Sequence, residues 1–254
     1  MAATQTDTGH HQAEGERWAF DESVTAVFDD MLERSIPEYE EMRRASTEFA
    51  SVWIANDLEA TSGPPTVLDL GASNGGSLAR LVAAFGSQAR YEAIEVSEAM
   101  REQFAARFGS LLDGEDPTVR LLDGDLREGL PGGFGRTAVV QSILTLMFTP
   151  LEYRHRIVQE VHDRLDDGGC FLLVEKIIGA DALLDGLFTD AYYAFKERSG
   201  YSREEIDRKR FALEGVQVPV TARWNEELLT AAGFRSVDCY WRSGKFAAWV
   251  AVKR

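Results

Sequence analysis

Apolar residues in this chain switch between two spacings, and each switch marks an element. Short runs rich in valine, leucine and isoleucine occupy residues 66–71, 91–95, 119–122, 137–143 and 169–176, most of them bounded by glycine, proline or acidic residues, as buried strands are. Between them, residues 77–85, 97–108 and 151–165 repeat apolar positions at helical intervals, as in Leu78, Leu81, Val82 and Phe85. Strands separated by helices of this length require right-handed crossovers and a mostly parallel sheet. Near the end, a helical pattern over 224–234 is closed by Gly233. Strands at 236–241 and 245–252 follow, joined through Arg242-Ser243-Gly244, a hairpin that would add an antiparallel edge. The expectation is an α/β fold with a seven-stranded, mostly parallel sheet.

Ahead of the first strand, Trp18, Phe20, Val24, Val27, Phe28, Met31 and Leu32 recur at helical spacing with Asp21 as a cap. Pro37 interrupts, residues 39–56 resume the helical pattern, and Gly63-Pro64-Pro65 leads into the sheet. The chain therefore divides into a polar, disordered tail over 1–16, an N-terminal helical cap over 17–62 and a main domain over 63–254. An insertion at about 178–223, dense in aromatic and charged residues, reads as two short helices forming a lid over the strand ends.

The richest segment follows the first strand: Asp69-Leu70-Gly71-Ala72-Ser73-Asn74-Gly75. A strand, a tight glycine turn and a helix start let a ligand lie against the main chain beside unsatisfied helix amides. The spacing Asp69-x-Gly71-x-x-x-Gly75 is not the Gly-x-Gly-x-x-Gly of dinucleotide folds, and no Gly-Lys-Ser/Thr follows as in a P-loop. The second strand ends in Glu95, about twenty residues further on, where a doubly wound sheet places a carboxylate for ribose hydroxyls; Ser97 then caps the next helix. The third ends in Asp123-Gly124-Asp125-Leu126, and Asp125 on its own chemistry is equally a turn cap. Three such strand ends at successive βα junctions mark one ligand site.

Charge narrows the partners. With 42 acidic against 27 basic side chains the net charge is −15, which repels phosphate backbones and argues against direct nucleic-acid binding. A local basic group, Arg203, Arg208, Lys209 and Arg210, still suits an anionic small molecule. Cys170 and Cys239 lie in predicted strands as small buried hydrophobes, without metal or redox spacing. His10 and His11 fall in the tail, and His155 and His162 are too widely spaced for a zinc pair, so no metal site is expected. No apolar run is long enough to cross a membrane and no signal peptide is evident, so the reading is a cytoplasmic enzyme with a small-molecule substrate.

The glycine turn and the three strand ends resemble those of class I S-adenosylmethionine-dependent methyltransferases, whose fold is Rossmann-like with a C-terminal antiparallel hairpin. Further fragments narrow the resemblance: Trp18-x-Phe20-Asp21, Arg34-Ser35-Ile36-Pro37-x-Tyr39, Phe195-Lys196-x-x-x-Gly200-Tyr201-Ser202 and Lys209-Arg210-x-x-Leu213-Glu214. Together they are similar to the carboxy-S-adenosylmethionine synthase family over nearly the whole chain after the tail. The resemblance implies that Tyr39 meets the methionine end of the cofactor, that Asp69, Gly71, Ala72, Ser73 and Gly75 form its turn, and that Asp125 and Leu126 hold adenine. It also implies that Arg210 binds the extra carboxylate of carboxy-S-adenosylmethionine, for which a guanidinium fork is suited. A homodimer is implied as well. Three departures touch the pocket: Ala72 stands where that family has cysteine, Glu95-Val96 where it has Asp-Asn, and Ser142 where it has asparagine.

A general base is needed only if the acceptor loses a proton during transfer. Candidates are Glu175 at the end of the fifth strand, alternatively a structural carboxylate paired with Lys176 or a lid arginine, and Tyr192 or Tyr193 in the lid. The departures put first a methyltransferase using ordinary S-adenosylmethionine on a small acceptor. The second reading is a carboxy-S-adenosylmethionine synthase, whose co-substrate by resemblance is prephenate, and the third is a cofactor-binding module without catalysis.

Overall fold

The protein is described by a computed structural model over residues 18–133 and 135–254; the tail expected over 1–16, with His10 and His11, lies outside the described residues. The described residues form eight strands: β1 (Thr66–Leu70), β2 (Arg90–Glu95), β3 (Val119–Asp123), β4 (Thr137–Ile143), β5 (Cys170–Ile178), β6 (Val220–Thr221), β7 (Ser236–Ser243) and β8 (Phe246–Val252). Seven form a path in the order β3-β2-β1-β4-β5-β8-β7. The reversal between β1 and β4 is the switch point at which such sheets bind ligands. The hairpin differs from the expected antiparallel edge. β8 runs antiparallel to β5 and lies inside the sheet, while β7 pairs antiparallel to β8 and so is parallel to the rest at the edge. The short β6, which the sequence pattern does not signal, pairs in parallel with Ile177 and Ile178 and prolongs the lid-side end of β5.

Alternation along each strand divides the core in two. Leu68, Leu70, Val140, Phe171, Leu173 and Trp249 face one side, packed by Ile157, Val158 and Val161 of α6 (Leu151–Arg164) and Leu228 and Leu229 of α9 (Ala222–Ala231). Val67, Tyr91, Val139, Cys170 and Leu172 face the other. They are covered by Ala50 and Ile54 of α3 (Tyr39–Ala60), Leu78 and Leu81 of α4 (Gly76–Phe85), and Phe104 and Phe108 of α5 (Glu98–Phe108). Burying side chains of this size stabilises by about 1.5–3 kcal/mol each before entropy is counted. α3 is thus a layer of the sandwich, while the helices before it reach over the strand tips. Cys170 is buried as expected, but Cys239 is exposed, because it sits on edge strand β7 where an irregularity in pairing falls between Cys239 and Trp241.

Side-chain caps set the helix starts. Asp21 accepts from the amides of Ser23 and Val24 to begin α1 (Glu22–Thr25), and Ser97 accepts from Met100 to begin α5. The lid consists of α7 (Ala182–Arg198), capped by Asp181, and α8 (Arg203–Ala212), opened by a Ser202–Glu205 capping box. It is tied to α2 (Phe28–Ser35): the Tyr192 hydroxyl donates to the Ser35 carbonyl at 2.9 Å and Arg34 Nε to the Ser199 carbonyl at 3.0 Å. No helix among the described residues is long and apolar enough to cross a membrane.

Candidate active site

The turn after β1 is built by crowding. Gly71 has φ +69°, and a Cβ there would stand 2.2 Å from Thr145 Cγ2. Gly75 has φ +77°, and its Cβ would meet Phe108 at 2.4 Å, so this glycine serves packing beneath the turn and does not line the cavity. Ser73, with a side chain, nevertheless holds φ +49°. The sequence suggested free amides here, but the amides of Gly71 and Ala72 both donate to the Ile94 carbonyl, at 2.9 and 3.0 Å, and that of Gly76 donates to Asn74 Oδ1 at 3.1 Å. The turn therefore offers shape and a close approach more than a row of open donors.

Glu95 closes this arrangement. Its carboxylate accepts from the Ser73 amide on one oxygen and from the Ser97 amide on the other, both at 2.8 Å. Each oxygen keeps a second lone pair for a hydroxyl. Burial pushes its pKa up, opposed by the amides of Ser97, Ser73 and Val96 and by Arg101. Asp69 is buried at the tip of β1, and one of its oxygens, Oδ2, has no partner; burial lifts its pKa to about 7, Gln141 pulls it down and Glu95 adds to the rise. Asp125 is bound by Arg127, whose Nε lies 2.8 Å from Oδ2, and the guanidinium holds its carboxyl below the ordinary value. Val96 stands exposed at the rim.

These residues line one cavity of about 930 Å³ that runs from the strand tips to the lid. Asp69, Gly71, Ala72, Ser73, Glu95, Val96, Asp125, Leu126 and Tyr39 all border it, as do Tyr192, Tyr193 and Arg210. Tyr39 starts α3 with the Arg43 guanidinium 5.4 Å from its ring, and burial pushes its pKa up to about 12. Arg210 is half-exposed, 3.6 Å from Asp207 and stacked on Phe211.

Besides Gly75, two candidate residues lie outside the cavity lining. Ser142 is wholly buried within β4, and the cavity floor is made instead by Ile143, Leu144 and Thr145. Leu144 adopts φ +61°, an uncommon state for a branched aliphatic residue, and Thr145 Oγ1 donates to the Gly71 carbonyl at 3.2 Å. Glu175 is fully buried on the face opposite the cavity's lysines. Successive strand residues point to opposite sides, so Glu175 turns towards Arg154 of α6 while Lys176 enters the cavity. Burial lifts Glu175 to about 8, with Arg154 and the amides of Met147 and Leu146 working against the rise. It cannot meet a ligand there, and its partner is neither Lys176 nor a lid arginine. Lys176 and Lys196, for which the sequence motifs implied no ligand-binding role, border the cavity at the lid end.

S-adenosylmethionine fits this donor set. An unpartnered buried carboxylate oxygen on Asp69 suits a cationic ammonium, the open lone pairs of Glu95 suit vicinal hydroxyls, and Leu126 and Val96 supply apolar flanks for a flat base.

A family profile described as a methyltransferase domain matches residues 67–169. Among solved structures, the DszA carbon methyltransferase superposes with a TM-score of 0.60 at 16% identity over 89% of this chain and 57% of its own. An O-methyltransferase family protein from Burkholderia thailandensis gives 0.58 at 15% identity, over 92% and 60%. The chain spans about three fifths of those structures, and the likeness is one of fold. Fold and site thus define a protein of the class I methyltransferase architecture.

Sequence relatives are more specific. The carboxy-S-adenosyl-L-methionine synthase of Methylococcus capsulatus is 37% identical over 238 residues, covering 93% of each chain. That of Wolinella succinogenes is 36% identical over 241 residues, covering 93% of this chain and 94% of its own. The chain belongs to the carboxy-S-adenosyl-L-methionine synthase family.

Proposed function

We propose that the protein is a carboxy-S-adenosylmethionine synthase that takes its carboxyl group from prephenate. The observation that carries this reading is a single cavity that joins three carboxylates at the strand tips to a group of basic side chains under the lid. Asp69, Glu95 and Asp125 gather at the strand tips, whereas Lys176, Lys196, Lys209 and Arg210 gather under the lid. S-adenosylmethionine supplies the methyl carbon to be modified. Glu95 would take its ribose hydroxyls, Asp69 its ammonium group, and Asp125 its adenine amine after exchanging partners with Arg127. Tyr39 would flank the methionine portion. Arg210 would receive the added carboxylate, for which its fork provides paired donors. The lid and α2 would exclude water from the reacting carbon.

The departures from the family pattern are compatible with this chemistry. Ala72 keeps a small side chain in the turn, Glu95 keeps a carboxylate at the ribose position, and Ser142 is outside the cavity lining. They also support a second reading, an ordinary methyltransferase acting on a small anionic acceptor. Mass spectrometry of the ligand retained by purified protein separates the two. A species heavier than S-adenosylmethionine by one carboxyl unit, formed on adding prephenate and absent in Arg210→Met, is the expected result. Unmodified cofactor throughout, with methyl transfer to an added acceptor, would overturn the synthase reading. Leu183, Leu187 and Phe211 are exposed on the lid helices and support a homodimer, to be tested by light scattering.

A further inference from the structure

Lys196 lies in the last turn of α7 with 4% of its surface exposed, yet it borders the cavity. Its ammonium stands 4.9 Å from the Tyr201 ring centroid and 5.7 Å from that of Tyr192. Among the described residues, no oxygen accepts a hydrogen bond from it. The acid that acts on it from α8, Glu205, has its carboxylate engaged by the Ser202 amide at 2.7 Å, and Arg34 of α2, stacked on the same Tyr201 ring, adds positive charge. Lys176 approaches the same Tyr192 ring at 5.3 Å, and its one hydrogen-bond acceptor is the neutral Gln217 side chain at 2.9 Å. The neighbouring Lys245 is served differently, by Asp185 at 2.9 Å and Thr189 at 2.7 Å.

Two buried ammonium groups against one tyrosine ring, with no carboxylate hydrogen-bonded to either, lack the anion that would justify their burial. Burial depresses both amines to about 8; Lys245 and then Lys196 add to the fall at Lys176, while at Lys196 Glu205 opposes the fall and Arg34 adds to it. The nearby acid Asp185 is already held by Lys245 and by the Gly179 amide.

We propose that Lys196 and Lys176 form a subsite for a carboxylate of the second substrate, the one it retains, separate from the carboxylate received by Arg210. The inference rests on the proposed reading that an organic dicarboxylate shares the cavity with S-adenosylmethionine. Tyr192 walls the subsite, supplying apolar contact for the body of the acid and holding both amines through its ring, while Tyr201 backs Lys196 from outside the cavity lining. A substrate with a single carboxylate would fill only one end.

The test is calorimetric binding of prephenate to protein loaded with S-adenosylhomocysteine, alongside turnover. Lys196→Met is expected to weaken prephenate binding by about thirtyfold, with Lys176→Met close behind and Lys196→Arg recovering part of the loss. Affinity for S-adenosylmethionine should stay within about threefold and the melting temperature should not fall, because methionine removes an unpaired buried charge while keeping its volume. Prephenate affinity unchanged in Lys196→Met overturns the subsite, and so does a parallel loss of S-adenosylmethionine affinity. Wild-type protein that binds prephenate lysine-dependently without forming product counts for the subsite and against the synthase reading. Wild-type protein that binds no prephenate overturns both.

Discussion

Replacing Glu95 by glutamine probes the link between the glycine turn and the second strand. The carboxylate receives two backbone amides at 2.8 Å, one from each side, and still has lone pairs for ribose. Glutamine keeps one oxygen, but its amide nitrogen must then face either Ser73 or Ser97, donor against donor. An amide left unsatisfied in this way costs about 1–3 kcal/mol. Burial already disfavours the charge of Glu95, so neutralising it returns part of that cost, and net stability should change by only about 1 kcal/mol. Ligand binding has no such offset. Hydrogen bonds to a charged acceptor contribute about 1.5–3 kcal/mol against about 1 for a neutral one, so losing roughly 2 kcal/mol over two hydroxyls weakens binding about thirtyfold. Titration calorimetry with S-adenosylmethionine and S-adenosylhomocysteine, paired with thermal melts, measures both quantities. Affinity within threefold of wild type in a folded Glu95→Gln protein would refute the assignment of Glu95 to the ribose.

Two other perturbations test the frame of the site. Gly71→Ala places a methyl group 2.2 Å from Thr145 Cγ2 at φ +69°, so melting should show a loss of about 2–4 kcal/mol, with cofactor binding reduced further; a Thr145→Ser second substitution should recover part of it. Glu175 holds a proton in the fold up to about pH 8 that the unfolded chain releases near its ordinary value of 4.5, so the native state binds more protons across that window and stability falls as pH rises through it. Glu175→Gln should therefore match wild type near pH 4.5 and exceed it by about 1–3 kcal/mol at pH 8 in denaturant melts; equal stability at both values would show that the group is not protonated in the fold.

Much of this was readable from spacing. The βα alternation, the helix caps at Asp21 and Ser97, and the acids at the tips of the first two strands all rest on local chemistry that a short window contains. What escaped depends on which way a residue turns. Glu175 and Lys176 are adjacent titratable residues at a strand end, and only the sheet's pleat decides that the lysine reaches the cavity. Ser142 and Leu144 pose the same problem at the end of β4, made harder because the left-handed state of Leu144 is not a preference of leucine. Cys239 was expected inside because its run is strand-like, but strand propensity does not say whether a strand is central or at the edge. Lys196 resembles any lysine in an amphipathic helix, and its burial arises from Tyr192 and Tyr201, which tertiary packing alone brings to it.

The position of β8 has a consequence for how the molecule comes into being. Phe246–Val252 follows every other strand of the described residues in sequence, yet it fills an interior place between β5 and β7. While the protein is being synthesised, the side of β5 that β8 covers over Cys170–Lys176 lacks that neighbour until β8 leaves the ribosome, and its backbone groups are exposed to stray pairing throughout that interval. The sheet is therefore whole only once β8 has been made, and chaperone dependence during translation should centre on the stretch from Cys170 to Ile178.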